Sequence, residues 1–180
     1  IFEGPMMQSI KERKMELLRR KLKDHHILCG YTAISREVLI ELNRQKIHHL
    51  LIDKNPAISL PPNSKYTAII TGDVHDEEIL KHARIEHAQS LIASLNDDAS
   101  NLFLVVTARQ MNPIIKIISE ASDEATAKKL TRAGADIIVT PYQIAASLLK
   151  PRLINFLDII SGDDEDSSLK IKDYHISKHS

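Results

Sequence analysis

The sequence predicts an α/β fold, a Rossmann-like doubly wound parallel sheet of six strands. Three observations predict it: apolar strand patterns alternate strictly with helical patterns, a glycine ends the first strand, and a helical pattern follows that glycine at once. We expect the strand order 3-2-1-4-5-6, with helices on both faces of the sheet and an extended crossover helix at the C-terminal end.

The strands are expected where short apolar runs end at glycine, an acidic residue or a polar turn, at 27–29, 48–53, 66–71, 90–95, 116–119 and 136–140. Helical patterns follow at 38–42, 76–82, 97–110 and 122–133, the last capped by Ser122. Pro141 is expected to open a long final helix, and Pro151 to kink or break it. The three prolines of residues 56–64 predict a loop between the second and third strands.

Composition indicates one ordinary globular domain. The chain has 180 residues, of which 43% are hydrophobic and 27% charged, and its formal net charge is zero. A neutral chain offers no overall electrostatic case for binding nucleic acid, so no nucleic-acid partner is expected. The single cysteine, Cys29, lies in the first strand, which excludes a disulfide framework and predicts a buried thiol in a reducing compartment.

The turn after the first strand has part of a dinucleotide-binding fingerprint. The fingerprint requires glycine at 30, 32 and 35, but the chain has Gly30, Thr32 and Ser35, which weakens the case for phosphate binding. Asp53 closes the second strand about twenty residues further on, where an acid holds a ribose hydroxyl and so favours a nucleoside. The candidate cofactor-binding residues are Gly30, Tyr31, Thr32, Asp53, Lys54, Gly72, Asp73 and Asn96.

Two helices are more apolar than helices on the surface of a single domain, namely those at 102–106 and 144–160. The plain interpretation of the first is an unusually buried crossover helix, and the one we favour is a second buried face at a subunit contact. The predicted interface residues are Leu102, Phe103, Val106, Leu149, Leu153, Phe156 and Leu157.

The order and spacing of several segments resemble RCK domains, the regulators of potassium conductance of two-transmembrane potassium channels. The segments are Glu3-Gly4, 13–16, 24–31, 71–73, 76–78, 96–98, Asn101, 133–136, 140–141 and 150–157. The resemblance implies a linker after the pore helix at 1–24, an N-lobe at 25–141 and a crossover and dimerisation helix at 142–161. It implies an acidic linker and the start of a truncated C-terminal subdomain at 162–180.

The same resemblance implies a ligand sensor and not an enzyme, at the cytoplasmic face of the cell membrane. RCK domains form homodimers that assemble into a gating ring, here with a pore domain upstream of residue 1. The basic run at 11–23, with seven Lys or Arg against two Glu, becomes the linker beneath the membrane.

The ligand that the resemblance implies is calcium, another divalent cation or an adenine nucleotide such as NAD, with calcium favoured. Calcium-gated members use carboxylates beyond strand ends, and Asp73 and Glu120 match two of those positions. A third falls at Ser122, which Asp123 and Glu124 follow, while calcium prefers six to eight oxygen ligands. Nucleotide-binding members carry a basic residue where this chain has Ala33.

Two other functions stay open. One is a soluble nucleotide-binding regulatory subunit of a potassium transporter, and the other is an NAD-dependent oxidoreductase, which requires an intact glycine loop and an appended catalytic domain. Asp53 and Asp73 have a purely structural alternative, in which they bind backbone at strand ends. The pairs His25-His26 and His48-His49 are not chelates, because adjacent strand residues point to opposite faces.

Overall fold

The computed structural model describes residues 22–162, and their side chains through residue 154. Strands β1–β6 span His25–Cys29, His49–Asp53, Thr67–Thr71, Ala88–Ala93, Lys116–Glu120 and Ile137–Val139. Helices α1–α5 span Ala33–Arg44, Glu77–His82, Asp98–Met111, Glu124–Ala133 and Pro141–Gly162, and a short 3-10 helix spans Ile85–His87.

The six strands form one parallel sheet in the order β3-β2-β1-β4-β5-β6, which confirms the predicted fold and strand order. The chain builds outward from β1 in one direction and then returns to start again from β4. Because the connections on either side of this point leave in opposite directions, a crevice opens at the carboxyl ends of β1 and β4.

The central strands are buried on both faces, as parallel strands covered by helices must be. Ile27 and Leu50 belong to the larger core cluster, and Leu28 and Leu51 to a second cluster that includes Leu39 of α1. All five side chains have no exposed surface. Consecutive residues therefore enter opposite layers, which fixes the register of the strands against the helices.

Four helices begin at a polar cap that directly follows a strand or its turn. The side chains of Thr32, Asp76, Asp97 and Asp123 each accept a main-chain N–H from the first turn of α1, α2, α3 and α4. The prediction that Ser122 caps α4 is wrong, because the next residue, Asp123, takes that position and accepts the N–H of Thr126 at 2.7 Å.

Strand β4 and helix α5 also differ from the prediction, while the bounds of the other strands differ by at most two residues. Strand β4 begins at Ala88 and ends at Ala93, because the N–H of Leu95 is already committed to Oδ1 of Asn101 at 2.9 Å. Helix α5 runs through Pro151 without a break. A proline removes one main-chain donor, and the residues on both sides of it keep the remaining helical bonds.

The chain divides into two compact units after Tyr142. In the second unit, α5 exposes Leu148, Leu149, Leu153 and Ile154 by more than half of their surface. Between residues 22 and 162, no helix combines the length and the hydropathy that crossing a membrane requires.

Candidate ligand-binding cleft

A cleft with a cavity volume of about 240 Å³ lies at the carboxyl ends of β1, β2, β3 and β4. Seven of the eight predicted cofactor-binding residues line it, and the eighth, Asp73, lies at its rim beside Gly72. The lining residues are Gly30, Tyr31, Thr32, Ile52, Asp53, Lys54, Gly72, Val74, His75, Ser94, Leu95, Asn96, Asp97 and Ser100. The structure therefore brings these predicted residues together around one cavity, at the crevice that this topology creates, and their role in binding a cofactor stays a prediction.

Gly30 makes the turn after β1 possible. Its φ is +92°, a conformation that residues with a side chain rarely adopt, and an added Cβ would lie 2.3 Å from the carbonyl oxygen of Ser94. The Gly30 N–H donates to the carbonyl of Ile52 at 2.9 Å, so the turn is held between β2 and β4. This close approach lets the following residues face the cleft.

Asp53 is fixed by two main-chain donors. Its Oδ2 accepts the N–H of Tyr31 at 2.7 Å, and its Oδ1 accepts the N–H of Asn55 at 2.8 Å. An ionised carboxylate has about four lone-pair sites, so each oxygen retains capacity for a second donor. Asp53 therefore binds backbone at the end of its strand, as the structural alternative predicts, and the same carboxylate still has room for a ligand hydroxyl.

The two fingerprint positions without glycine bond to each other. The Thr32 N–H donates to Oγ of Ser35 at 2.8 Å, and the Ser35 N–H donates to Oγ1 of Thr32 at 3.3 Å, which is a reciprocal capping arrangement. Ser35 is fully buried, and Oγ1 of Thr32 also lies 2.5 Å from Oγ of Ser94. Donors that a glycine loop offers to phosphate are here partly used by the protein itself.

At the rim, Asp73 binds two cationic or polar partners. Lys54 Nζ lies 3.0 Å from Oδ2, and the main-chain N–H and Nδ1 of His75 lie 2.9 and 2.8 Å from Oδ1. The main-chain N–H of His75, with smaller effects of the Lys54 and His75 side chains, lowers the pKa of Asp73. Asp73 therefore stays ionised and orients His75.

His75 was not among the predicted cofactor-binding residues, although it forms part of the cleft wall. Its ring packs edge-on against Phe103 of α3, with centroids 5.3 Å apart. Its position two residues after a strand-ending Gly-Asp was the available signal in the sequence. Ser94 was also missed, since a serine at a strand end has no distinctive pattern.

A second cavity of about 420 Å³ lies beyond β4 and β5 and shares Thr32, Leu95 and Asn96 with the cleft. Glu120 lines it and accepts a short hydrogen bond from the hydroxyl of Ser94. Burial raises the pKa of Glu120 above its ordinary value, although the Ser94 bond lowers it in part.

The structure does not bring Asp73 and Glu120 together. Asp73 follows β3 and Glu120 ends β5, and these strands lie four positions apart in the sheet, or about 19 Å at the usual strand spacing. The expectation that this pair forms one divalent site is therefore wrong, and residues 22–162 contain no group of three or more metal-binding side chains. The neighbouring candidates have other partners, Ser122 bonding to Asp98, Asp123 capping α4 and Glu124 pairing with Lys128 at 3.1 Å.

The predicted interface residues are partly exposed where the structure describes them. On α3, Phe103 is 54% and Val106 38% exposed, whereas Leu104 and Val105 are buried and Leu102 is intermediate. The plain interpretation, a helix buried all round, is therefore wrong. The side chains of Phe156 and Leu157, and residues 1–21 and 163–180 with the predicted linkers, lie outside the described part of the chain.

A parallel sheet of this order, with a lined cleft at its reversal point and an acid at the end of β2, defines a Rossmann-like ligand-binding domain. Residues 26–141 match the TrkA-N domain, and the chain belongs to this family.

The relatives are consistent with the predicted resemblance to RCK domains. The chain is 34% identical over 191 residues to probable potassium channel protein 2 of Methanocaldococcus jannaschii, covering all of this chain and 56% of the relative. It is 32% identical to potassium channel protein 1 of the same organism, covering 93% of this chain and 53% of that one. The chain thus spans about half the length of these curated relatives.

A solved structure shows the same fold. The TrkA-N domain of the inner membrane protein ybaL from Escherichia coli superposes with a TM-score of 0.66 at 24% sequence identity, over 72% of this chain and 97% of that one. The resemblance that the sequence indicated is confirmed at the level of the family.

Proposed function

We propose that this chain is the ligand-sensing regulatory domain of a potassium channel, at the cytoplasmic face of the membrane, and that its ligand is an adenine nucleotide. The observation that carries the proposal is the fixed carboxylate of Asp53 at the edge of the cleft. Two main-chain donors orient it before any ligand arrives, so a ribose diol meets a preorganised acceptor. The names of the relatives, which are potassium channel proteins, support the assignment to a potassium channel.

The rest of the cleft fits a nucleoside better than a metal ion. Its walls combine the apolar side chains of Ile52, Val74 and Leu95 with the polar groups of Asn96 and His75. Such a mixture suits a flat heterocyclic base with a few polar atoms. The volume of about 240 Å³ is below the roughly 300–1,000 Å³ of sites for drug-sized ligands, which favours one nucleoside unit in this cleft.

The regulatory mechanism follows from differential affinity. A nucleotide that bonds to Asp53 and packs beneath Lys54 contacts β1, β2 and β4 together, so it stabilises one relative arrangement of these strand ends. In a homodimer or gating ring attached to a pore, the ligand shifts the population only as far as it binds one arrangement better than the other. The domain then acts without catalysing a reaction.

Thermal unfolding with AMP, ADP, ATP, NAD, NADH and calcium, each added alone, tests the ligand class. A ligand at 100 times its dissociation constant adds about 2.7 kcal/mol to the free energy of unfolding. We expect an adenine nucleotide to raise the melting temperature of the wild type and to lose this effect in Asp53→Ala. A shift with calcium alone would overturn the nucleotide assignment.

Potassium flux tests the regulatory role. In vesicles that contain the polypeptide carrying this domain, adding the stabilising nucleotide is expected to change the flux, and Asp53→Ala is expected to remove the change. If the nucleotide binds the purified domain but does not change the potassium flux, the domain is expected to regulate a different protein, such as a potassium transporter with a separate regulatory subunit.

A further inference from the structure

We propose that the amino-terminal edge of the sheet holds residues 22–24, which precede β1, by contacts that depend on pH. These contacts weaken when the histidines of this edge are protonated. His25, His26 and His49 begin β1 and β2, at the end of the sheet opposite the cleft. His26 stands in register with His49 on one side and with Ser90 on the other. His49, His26 and Ser90 thus form a continuous row across three strands.

The hydrogen bonds around His49 favour its neutral form. Nδ1 lies 2.9 Å from the carbonyl of Ile47, so Nδ1 carries the proton and donates it there. Nε2 then accepts from the hydroxyl of Thr67 at 2.7 Å, and the Asn43 amide nitrogen, which only donates, lies 3.3 Å away. A proton on Nε2 would face the Asn43 donor, and the Thr67 hydroxyl would have to rotate from donor to acceptor.

The same bonds join separate elements. The Asn43 amide nitrogen also donates to Thr67 Oγ1 at 2.8 Å and to the Leu39 carbonyl at 2.9 Å, and its oxygen accepts the N–H of Tyr66 at 3.0 Å. Protonation of His49 therefore disturbs the contact between the end of α1 and the start of β3.

Protonation of His25 is even less favourable than protonation of His49. It is 1% exposed, its Nε2 donates to the carbonyl of Ala83 at 2.9 Å, and its Nδ1 has no hydrogen-bond partner among the residues that the structure describes. A proton on Nδ1 would create a buried donor without an acceptor, next to a new positive charge.

The charges that act on these two imidazoles are positive when ionised. They are Arg84, His26 and His87 around His25, and His26 and His48 around His49. Burial is the main reason that the pKa values of His25, His49 and His26 all lie below the ordinary 6.5. The neutral forms are thus favoured by burial, by hydrogen bonding and by the surrounding charge.

This edge holds the segment that precedes β1. Leu22 packs into the main core at 6% exposure, and the N–H of Asp24 donates to the carbonyl of His87 at 2.9 Å. Ala83 precedes Arg84 and the 3-10 helix, and His87 is the last residue of that helix, so the partner of His25 and the partner of Asp24 belong to one short stretch. Loosening that stretch weakens the attachment of the incoming chain.

The direction of the pH effect follows from linkage. Because the folded state holds these histidines neutral, the opened state binds more protons once the pH falls below about 6.5. The stabilisation is complete above that pH and is lost progressively as the pH falls from about 6.5 toward the lowered pKa values of the folded state. Each linked histidine changes the opening constant by at most tenfold per pH unit.

Amide hydrogen exchange of the 180-residue chain at pH 7.5 and 5.5, corrected for intrinsic rates, tests the proposal without ligand or channel. We expect the protection of the Asp24 and His49 amides at the amino edge to fall more than that of Gly72 and Ser94 at the carboxyl edge, by up to about tenfold for each linked histidine. An equal fall at both edges, or no fall, would overturn the proposal.

The double variant His25→Gln and His49→Gln replaces the titrating rings by neutral amides, and the new amide at position 25 still offers a donor toward Ala83. We expect the variant to lose the excess fall in protection at residues 24 and 49, whereas the control His82→Gln, at an exposed position on α2, keeps it. If the double variant does not fold, the contrast between the two edges of the wild type still decides. The proposed function matters only for what this pH response would do in a channel. If no nucleotide binds the domain, the hydrogen-exchange result still stands.

Discussion

The main-chain N–H of Tyr31 donates a 2.7 Å hydrogen bond to Oδ2 of Asp53, which ties the turn after β1 to the carboxyl end of β2. The same carboxylate accepts the N–H of Asn55 through Oδ1. Asp53 therefore holds the turn after β1 and the end of β2 in position. A ligand hydroxyl bound to this carboxylate would be coupled to both segments.

Replacing Asp53 by Asn is expected to lower both stability and nucleotide binding. An amide has one acceptor oxygen and one donor nitrogen, so either Tyr31 N–H or Asn55 N–H is left facing a donor. The loss of one partly buried partner costs about 1–3 kcal/mol of unfolding free energy. Urea unfolding at pH 7.5 and calorimetric titration with AMP measure the two effects separately.

The matched control is Asp123→Asn. Asp123 accepts the N–H of Thr126 at the start of α4, away from the cleft, and Asn caps helices as well as Asp does. It is expected to leave stability within about 0.5 kcal/mol of the wild type and binding unchanged. Equal effects of the two substitutions would show that Asp53 has no special role.

Gly30→Ala is expected to destabilise the domain much more than Gly72→Ala. At residue 30 the new Cβ meets a carbonyl oxygen at 2.3 Å in a left-handed backbone, which costs about 1–3 kcal/mol for the conformation alone. At residue 72 the Cβ meets the end of the flexible Ile79 side chain at 2.7 Å, which can rotate away. Thermal unfolding of both variants ranks them, and a reversed order would contradict the role given to Gly30.

The fold was predictable because its signals are local and repeated. Strands such as 25–29 and 88–93 are largely buried, and each is followed by a polar cap that starts a helix. The boundary of β4 was not predictable, because Leu95 leaves the sheet to bond with Asn101, six residues further along. Such a contact depends on how α3 packs against the sheet, which the local sequence does not specify.

The location of the candidate site in the fold was predictable, but the contacts between its residues were not. The topology fixes that the residues after β1, β2, β3 and β4 meet, and this is why Gly30, Asp53 and Asn96 all line one cleft. The pairing of Asp73 with Glu120 failed because it disregarded strand order, which puts β3 and β5 at a distance. The partners of Thr32, Ser94 and Glu120 form between strands and carry no local pattern.

Glu120→Gln is expected to stabilise the domain at neutral pH. Burial raises the pKa of Glu120, so the folded state binds its proton more tightly than the unfolded state does. Stability is therefore lost as the pH rises from the unfolded value, near 4.5, through the raised one. Gln removes this loss and still accepts from Ser94, which gives up to about 1 kcal/mol at pH 7.5 after solvent screening.

Urea unfolding at pH 7.5 and pH 4 checks the Glu120→Gln prediction, since the difference between variant and wild type is expected to vanish at pH 4. Glu37→Gln, at an exposed position on α1, is the control and is expected to show no difference at either pH. A Glu120→Gln variant less stable than the wild type at pH 7.5 would mean that the ionised Glu120 contributes favourably to the fold.

Phe103→Glu is expected to weaken self-association at least tenfold without unfolding the domain. Phe103 and Val106 are one turn apart on α3 and are 54% and 38% exposed, so together they form the apolar face that the sequence assigns to a subunit contact. Burying a charge in such a contact is unfavourable unless a partner charge meets it. Because Phe103 also touches His75, Val106→Glu is made in parallel and is expected to act in the same direction.

Sedimentation equilibrium over a range of concentrations gives the dimer dissociation constant of each variant, and circular dichroism confirms its fold. Ile114→Glu is the control, because Ile114 is 92% exposed in the turn after α3 and lies outside the predicted interface. It is expected to leave the dissociation constant unchanged. If all three variants associate like the wild type, the exposed face of α3 is not the subunit contact, and the apolar residues of α5 become the remaining candidates for that role.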